Sequence, residues 1–341
     1  MTKRLTPVKN LLSGLLLLLL SCGPADSRIS ETEQQLSTAN PNTFPELAEL
    51  SEEQEAAVAV VYRSVDQGNN WQAFTTGLPA VATVSGFAQL GDELFVTTDF
   101  HGVFRTSTDE DQWIASSQGL PDEIDLNCIL AVDNRLIIGS FHQGVFVSDD
   151  AGHSWFAVPG RLDPEQIRAF HRVGDRVIAG TDNGIFQSGD RADSWQHRYG
   201  QMQILGFSEN AGKIYAATQD GALLSVNAGE DWEYIYEGDA LHDIYHDGKA
   251  VYAMTIGRGL LRSEDDGKSW ENVQHQMGTF NLYTFEMQAL NNQLFAAQWY
   301  GIFRSANAGQ QWELLSSLPD STAFASFFLS DNALFAAVAM R

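Results

Sequence analysis

Seven tryptophans recur along the chain at nearly constant spacing. Trp71, Trp113, Trp155, Trp195, Trp232, Trp270 and Trp312 are separated by 42, 42, 40, 37, 38 and 42 residues, and only Trp299 falls off the register. A period of about forty residues marks one supersecondary unit repeated in an array, because a unit that small buries its apolar face only against its neighbours. Each repeat Trp ends a similar phrase, as in Ser64-Val-Asp66-Gln-Gly68-Asn-Asn-Trp71, Ser148-Asp-Asp150-Ala-Gly152-His-Ser-Trp155 and Ser263-Glu-Asp265-Asp-Gly267-Lys-Ser-Trp270. Asn227 and Asn307 replace the Asp in two copies. Ala192 replaces the Gly before Trp195, and the Thr106, Thr108, Glu110, Trp113 copy is the most degraded.

A second landmark interleaves with the first. Turn pairs separate two apolar runs at Gly91-Asp92, Asp133-Asn134, Gly174-Asp175, Ala211-Gly212, Asp247-Gly248, Asn291-Asn292 and Asp331-Asn332. Each predicts a hairpin. A Gly then precedes a third run in every complete copy: Gly102, Gly144, Gly184, Gly221, Gly259 and Gly301. The Ser-x-Asp turn leads to a fourth strand at the Trp. Four short antiparallel strands per repeat make the blade of a β-propeller. The phase predicts how the ring closes. The body opens at residues 58–71 with a third and fourth strand, and finishes at residues 324–338 with a first and second. The two ends complete one blade and close an all-β ring of seven, which removes exposed sheet edges.

The repeated phrase resembles the Asp-box, or bacterial neuraminidase repeat, Ser-x-Asp-x-Gly-x-Thr-Trp, over about residues 57–341. The physics of the phrase is local. An Asp or Asn carboxyl or amide bonds backbone amides in a tight turn, and Gly takes a positive φ. The Trp packs between neighbouring sheets.

The amino terminus reads as an address. Lys3, Arg4 and Lys9 precede the leucine-rich run Leu11 to Leu20. Ten helical residues reach about 15 Å, half of a bilayer core, so this is a signal-peptide core rather than a membrane span. It ends in Leu19-Leu20-Ser21-Cys22, which resembles the lipobox of bacterial lipoproteins. That resemblance implies cleavage before Cys22, lipid on Cys22 and anchoring of an exported protein in the cell envelope. Residues 1–21 are then the signal, 22–56 an acidic tether with Pro24, Pro41 and Pro45, and 57–341 the propeller. Cys128, in the apolar run Leu126 to Val132, is expected to be a buried free thiol.

Composition removes several classes. With 44 acidic and 20 basic residues the formal charge is −24, which argues against nucleic acid as the partner. Two cysteines build neither a disulfide scaffold nor a Cys-rich zinc site. No P-loop, nucleophile elbow or zinc helix motif is present.

Candidate ligand contacts come from the loops between second and third strands, which share one face of a propeller with the blade-to-blade loops. They carry Asp99, Phe100, His101, Phe141, His142, Asp182, Asp220, Arg258, Trp299 and Tyr300. The blade-to-blade loops add Asp122, Glu123, Glu165, Arg168, Glu237, Asp239 and His275. Aromatic rings suit sugars or apolar side chains, and carboxylates suit hydroxyls. His101 and His142 occupy matching places, but no ligand spacing supports a metal, and neither metal nor cofactor is expected.

Sialidases share the Asp-box, but their Phe/Tyr-Arg-Ile-Pro motif is absent: Phe104-Arg105 and Phe303-Arg304 are followed by Thr and Ser. Arg63, Arg105, Arg262 and Arg304 hold one repeat position and read as structural. Xyloglucanase-type hydrolases with Asp-boxes place their cleft between two propellers, and one is present here. Asp182 with Asp220 is a conceivable acid–base pair. Sortilin-like receptors and photosystem II assembly factors use such propellers to hold peptides or a client protein. The expectation is a lipid-anchored, non-catalytic binding protein for an extracytoplasmic protein, peptide or glycan. A glycan-active hydrolase is the alternative.

Overall fold

The computed structural model describes residues 60–107, 110–160, 162, 166–274, 277, 283–319, 322–330 and 333–339. The chain divides into two units, Met1–Ser51 and Glu52–Arg341. The first lies outside the described residues, as do the signal core, Cys22 and the tether.

The described residues form seven four-stranded antiparallel sheets. Blades 1 to 6 are continuous in sequence, at 84–115, 126–158, 167–199, 204–237, 241–272 and 284–314. Blade 7 is composite, with Val61–Ser64 pairing with Ala333–Val338 in the order fourth, third, second, first. The predicted closure is therefore present, with Tyr62 opposite Ala336. The innermost strands neighbour one another around the whole circuit, from Val84–Leu90 through to Phe324–Ser330 and back. They surround a central channel.

Strand position explains strand composition. Second strands are sandwiched between adjacent blades and read as unbroken apolar runs. Leu94, Phe95 and Val96 are wholly buried, as are Leu136, Ile137 and Ile138. Fourth strands lie on the perimeter and are polar or exposed, as at Gln72–Ala73 and Glu271–Asn272. They begin one residue after the Trp. The hairpins between first and second strands use left-handed residues, such as Asn291 and Asn292 at φ 51° and 62°, which matches the twist of the paired strands. The Gly that opens third strands has a steric reason at Gly221. It sits at φ 141°, and a Cβ there would stand 2.0 Å from the Tyr236 carbonyl oxygen.

The Ser-x-Asp turns share one hydrogen-bond pattern. In blade 2 the Ser148 hydroxyl donates to Asp150 Oδ1 at 2.8 Å and accepts from the Gly152 amide at 2.8 Å. The Ser154 amide and hydroxyl both donate to the Asp150 carboxylate. Asp150 is held down to about 2, chiefly by the two bonds from Ser154. The Trp that follows ties one blade to the next. Nε1 of Trp113, Trp155 and Trp312 donates to the carbonyls of Phe74, Ser116 and Val273 in the preceding blade. The four arginines at the common repeat position are structural. Arg105 pairs with Glu93, Arg262 with Glu264 and Glu271, Arg304 with Glu313, and Arg63 with Asp111. Cys128 is a free cysteine whose thiol is pushed well up by burial.

Candidate binding face

Every inner strand carries a bulge at its second residue. Register shifts between first and third residues in all seven, from Val84/Gly86 to Phe324/Ser326. A bulge leaves one residue out of the ladder and re-aims its side chain. The bulged residues are Ser85, Asn127, Arg168, Leu205, His242, Phe285 and Ala325. They stand where the chain enters each blade, on the face that also carries the loops between second and third strands. Bulge and loop side chains meet there, and they sort the sequence-derived candidates into separate groups.

The first group runs across blades 1, 2 and 3. Asp99 and Asp125 form an isolated antiparallel bridge between blades 1 and 2. The Phe100 amide donates to the Ile124 carbonyl at 3.1 Å, and the Phe141 amide to the Asp125 carbonyl at 3.1 Å. His142 Nδ1 pairs with Asp125 Oδ2. The Arg168 guanidinium lies 5.0 Å from the centre of the Phe141 ring, and its Nε reaches Asp182 Oδ1 at 2.7 Å. Five of the loop candidates, Asp99, Phe100, Phe141, His142 and Asp182, are thus linked from blade to blade. His101 joins them through Nδ1 to the Asp99 carbonyl at 2.8 Å. Phe100 is 46% exposed at φ 61°, a conformation costly for a bulky residue. Burial, and then the Asp125 charge, push the Asp99 carboxyl up to about 6.

The second group lies between blades 5 and 6. Tyr283 Oη bonds His242 Nδ1 at 2.5 Å, and their rings stand 4.8 Å apart. Phe285 packs edge-on against Tyr283 at 4.8 Å and against Trp299 at 4.9 Å. Trp299, off register in sequence, is therefore half-buried in an aromatic stack, and Tyr300 beside it is 39% exposed. The residues one past the bulges are Gly86, Cys128, Ala169, Gly206, Asp243, Glu286 and Ser326, small or neutral except for two neighbouring carboxylates. Asp243 leans over blade 4, where a Cβ on Gly206 would meet its Oδ1 at 2.0 Å. Glu286 Oε2 accepts the Phe327 amide of blade 7 at 2.8 Å. Both residues keep some exposure, yet burial is the first influence on both carboxyls. Burial pushes Glu286 up to about 7, and burial with the Glu286 charge pushes Asp243 well up. Burial holds His242 down to about 4.

The remaining candidates are engaged separately. Arg258 pairs with Asp239 at 2.8 Å, and Asp239 also accepts from Tyr236 Oη. The Asp220 carbonyl accepts the Gly238 amide. Asp182, in its pair with Arg168, is not joined to Asp220 by any contact between the described residues. Asp122, Glu123 and Glu237 are exposed, while Glu165 and His275 lie outside the described residues. No group of three His, Cys, Asp or Glu side chains suited to a metal occurs among the described residues. A cavity of about 360 Å³ lies away from this face, beside the blade 5 turn, lined by Lys213, Tyr234, Asp266 and Lys268 among others.

Sequence reasoning missed Asp125, Asn127, His242, Asp243, Tyr283, Phe285 and Glu286. All but Asp125 and Tyr283 lie in inner strands, and those two lie directly before them. One signal was available: polar residues at the second and third positions of strands that are otherwise apolar.

No protein-family model matches the chain, and no curated protein matches it. Solved structures do share the fold. YCF48 from Cyanidioschyzon merolae superposes with TM-score 0.61 at 11% identity, covering 77% of this chain and 97% of that one. YCF48 bound to D1 peptide gives 0.62 at 14% identity, over 76% and 94%. The GH74 xyloglucanase from Xanthomonas campestris gives 0.63 at 18% identity, over 82% of this chain and 55% of the enzyme. At these identities the likeness is one of fold: a seven-bladed propeller.

Proposed function

We propose that the chain is an exported, lipid-anchored propeller of the Asp-box type that binds a protein, peptide or glycan ligand on its loop face without transforming it. One observation carries the reading. Loop segments of blades 1, 2 and 3 are fixed to one another, by backbone contacts between blades 1 and 2 and by Arg168 against Phe141 between blades 2 and 3, and Phe100 beside them is exposed and in a left-handed conformation. A preorganised surface with a rigid aromatic suits recognition. The peptide in one YCF48 structure and the xyloglucanase activity of another neighbour bracket the ligand classes this fold serves.

The test uses the full chain in detergent micelles with a photo-crosslinking side chain at position 100. Crosslinking to a defined envelope partner or glycan, absent with the same group at Val226 on the outer rim, is the expected result. Equal labelling from both positions overturns the reading. Replacing Cys22 by Ala is expected to release the protein from membranes. A Cys22→Ala chain that stays acylated sinks the anchor.

A hydrolase reading has one specific support, the enclosed Asp243 and Glu286 pair, since a carboxyl near 7 suits a general acid. It requires polysaccharide hydrolysis that Glu286→Gln abolishes.

A further inference from the structure

We propose that the blade 1–2 edge of the loop face receives an arginine side chain of a partner protein, with the guanidinium between the Asp99 and Asp125 carboxylates and its plane against Phe100. The proposal rests on the loop face being the binding face, and it names the chemistry that face accepts.

This edge carries an unfilled hydrogen-bond demand. Among the described residues four buried side-chain atoms lack a partner, and two of them, Asp125 Oδ1 and Gln143 Oε1, belong to this edge. Both are acceptors. An enclosed acceptor without a donor is costly, so its natural complement is a donor-rich group. Its negative charge is also unmatched. Asp99 and Asp125 are adjacent, and no Lys or Arg of the chain is paired with either among the described residues. Arg168, on the neighbouring blade, is committed to Asp182, Gln166 and the Phe141 ring. Among the described residues the Asp125 carboxylate pairs with His142, whose side chain is 67% exposed against 13% for Asp125. His142 is thus a displaceable cover over a carboxylate that is otherwise sealed.

Among cations, arginine fits this edge best. A guanidinium offers five donors in a flat fork, enough for two carboxylates, and it stacks on an aromatic face. Phe100 supplies that face, exposed and held in a left-handed conformation next to Asp99. An ammonium fits the charge and is drawn to a ring face, but it has neither the planar fork nor a flat face to stack. The charged and titratable groups on the elements that meet here are His101 from the same loop, the exposed Asp122 and Glu123 of the connection into blade 2, His142, and Arg168 beyond Phe141. Burial and Asp125 hold the Asp99 carboxyl at about 6, so an incoming cation draws that proton off. Binding therefore weakens as pH falls below about 6.

The experiment titrates the full chain in micelles, at low salt, with the pentapeptide acetyl-Gly-Gly-Arg-Gly-Gly-amide. Its lysine counterpart and a glucosamine trimer are run in parallel, all read by peptide or sugar NMR line shifts. Arginine is expected to bind about ten-fold tighter than either ammonium probe. Asp99→Asn and Asp125→Asn are each expected to weaken it about ten-fold and Phe100→Ala about three-fold, while Asp92→Asn, on the opposite hairpin, leaves it unchanged. Moving from pH 7.5 to 5 is expected to cost the wild type about ten-fold and Asp99→Asn almost nothing. Near-UV circular dichroism checks that each variant is folded. Equal affinity for arginine, lysine and glucosamine overturns the arginine assignment, and so does equal weakening by Asp92→Asn. No arginine binding together with a specific crosslink from position 100 sinks this inference and leaves the loop-face reading standing. Loss of both sinks both.

Discussion

At the residue scale the blade turn is the most sharply determined element, and it is where single substitutions have calculable effects. Ser148 is wholly buried, and its hydroxyl both donates to Asp150 and accepts the Gly152 amide. Ser148→Ala leaves that buried amide without an acceptor, a loss of about 1–3 kcal/mol. Chemical denaturation should show the loss without a change in slope. Gly152 is the second case. It sits at φ 78°, and a Cβ would stand 2.6 Å from Cε1 of Phe95 in blade 1. Gly68 meets Phe295 in the same way, also at 2.6 Å. Blade 3 departs from the pattern with Ala192 at φ 77°, and there the corresponding residue of the preceding blade is Ile137, which shares its core cluster. The smaller neighbour admits the methyl group. Gly152→Ala should therefore destabilise by about 2–4 kcal/mol through backbone strain and overpacking. Adding Phe95→Ile to that variant should recover part of the loss. A double-mutant cycle by urea denaturation measures the coupling, and strict additivity would show that packing against Phe95 is not involved.

At the element scale the inner strands carry what the sequence concealed. Blade count, hairpins and closure were legible because Ser, Asp, Gly and Trp must recur wherever the same turn is built. A bulge has no such marker. His242 and Asp243 lie in Leu241–His246, and Glu286 in Thr284–Leu290, runs that read as ordinary strands, and the register shift that sets them against neighbouring blades has no mark in the sequence. The loop candidates were legible as residues but not as partners, since Asp182 faces Arg168 only because that bulge aims it there. These buried groups make stability depend on pH. Glu286 is raised to about 7 from an ordinary 4.5, so the folded protein holds this proton more tightly than the unfolded chain. Its contribution is complete below about pH 4.5 and is lost as pH rises through 7. Asp99, raised from 3.8 to about 6, acts in the same direction. His242, lowered from 6.5 to about 4, acts in the opposite one, adding stability above 6.5 that is lost as pH falls through 4. The opposing effects offset one another between about pH 4.5 and 6.5. Above that the carboxyls act alone, and Tm is expected to fall toward pH 8.5. Glu286→Gln should shrink that fall and make the variant the more stable protein at pH 8.5, by about 2–3 kcal/mol. Parallel pH dependence in the two proteins would place the titration elsewhere.

At the scale of the whole molecule, the ring is closed by pairing the first described strand with the last. Val61–Ser64 lies between Ala333–Val338 and its own perimeter strand Gln72–Ala73, so blade 7 draws on residues more than 250 positions apart. Core clusters cross the same seam. Tyr62 and Trp71 pack with Phe324 and Phe327, while Val60, Val61 and Phe74 pack with Phe335 and Ala337. Neither partner buries its apolar face alone, and blades 1 and 6 each present one side to this composite sheet. Closure is thus the step that turns a row of blades into a single cooperative unit, and it must wait until the last strand exists. A chain ending at Ser330 lacks the second strand of blade 7, leaving Val61–Ser64 paired only with Gln72–Ala73 and two sheet edges open. That truncation is expected to unfold over a broad range and to self-associate in size-exclusion chromatography. Removing only Met340 and Arg341 should leave both properties unchanged. The decisive arm adds a synthetic peptide of residues 331–341 to the truncated chain. If edge pairing is what closes the ring, the peptide fills the vacant place, restores a sharp unfolding transition and returns the protein to the monomer peak. A truncated chain that is already monomeric and cooperative would show that six blades close without the seam, and that the terminal strands serve some purpose other than closure.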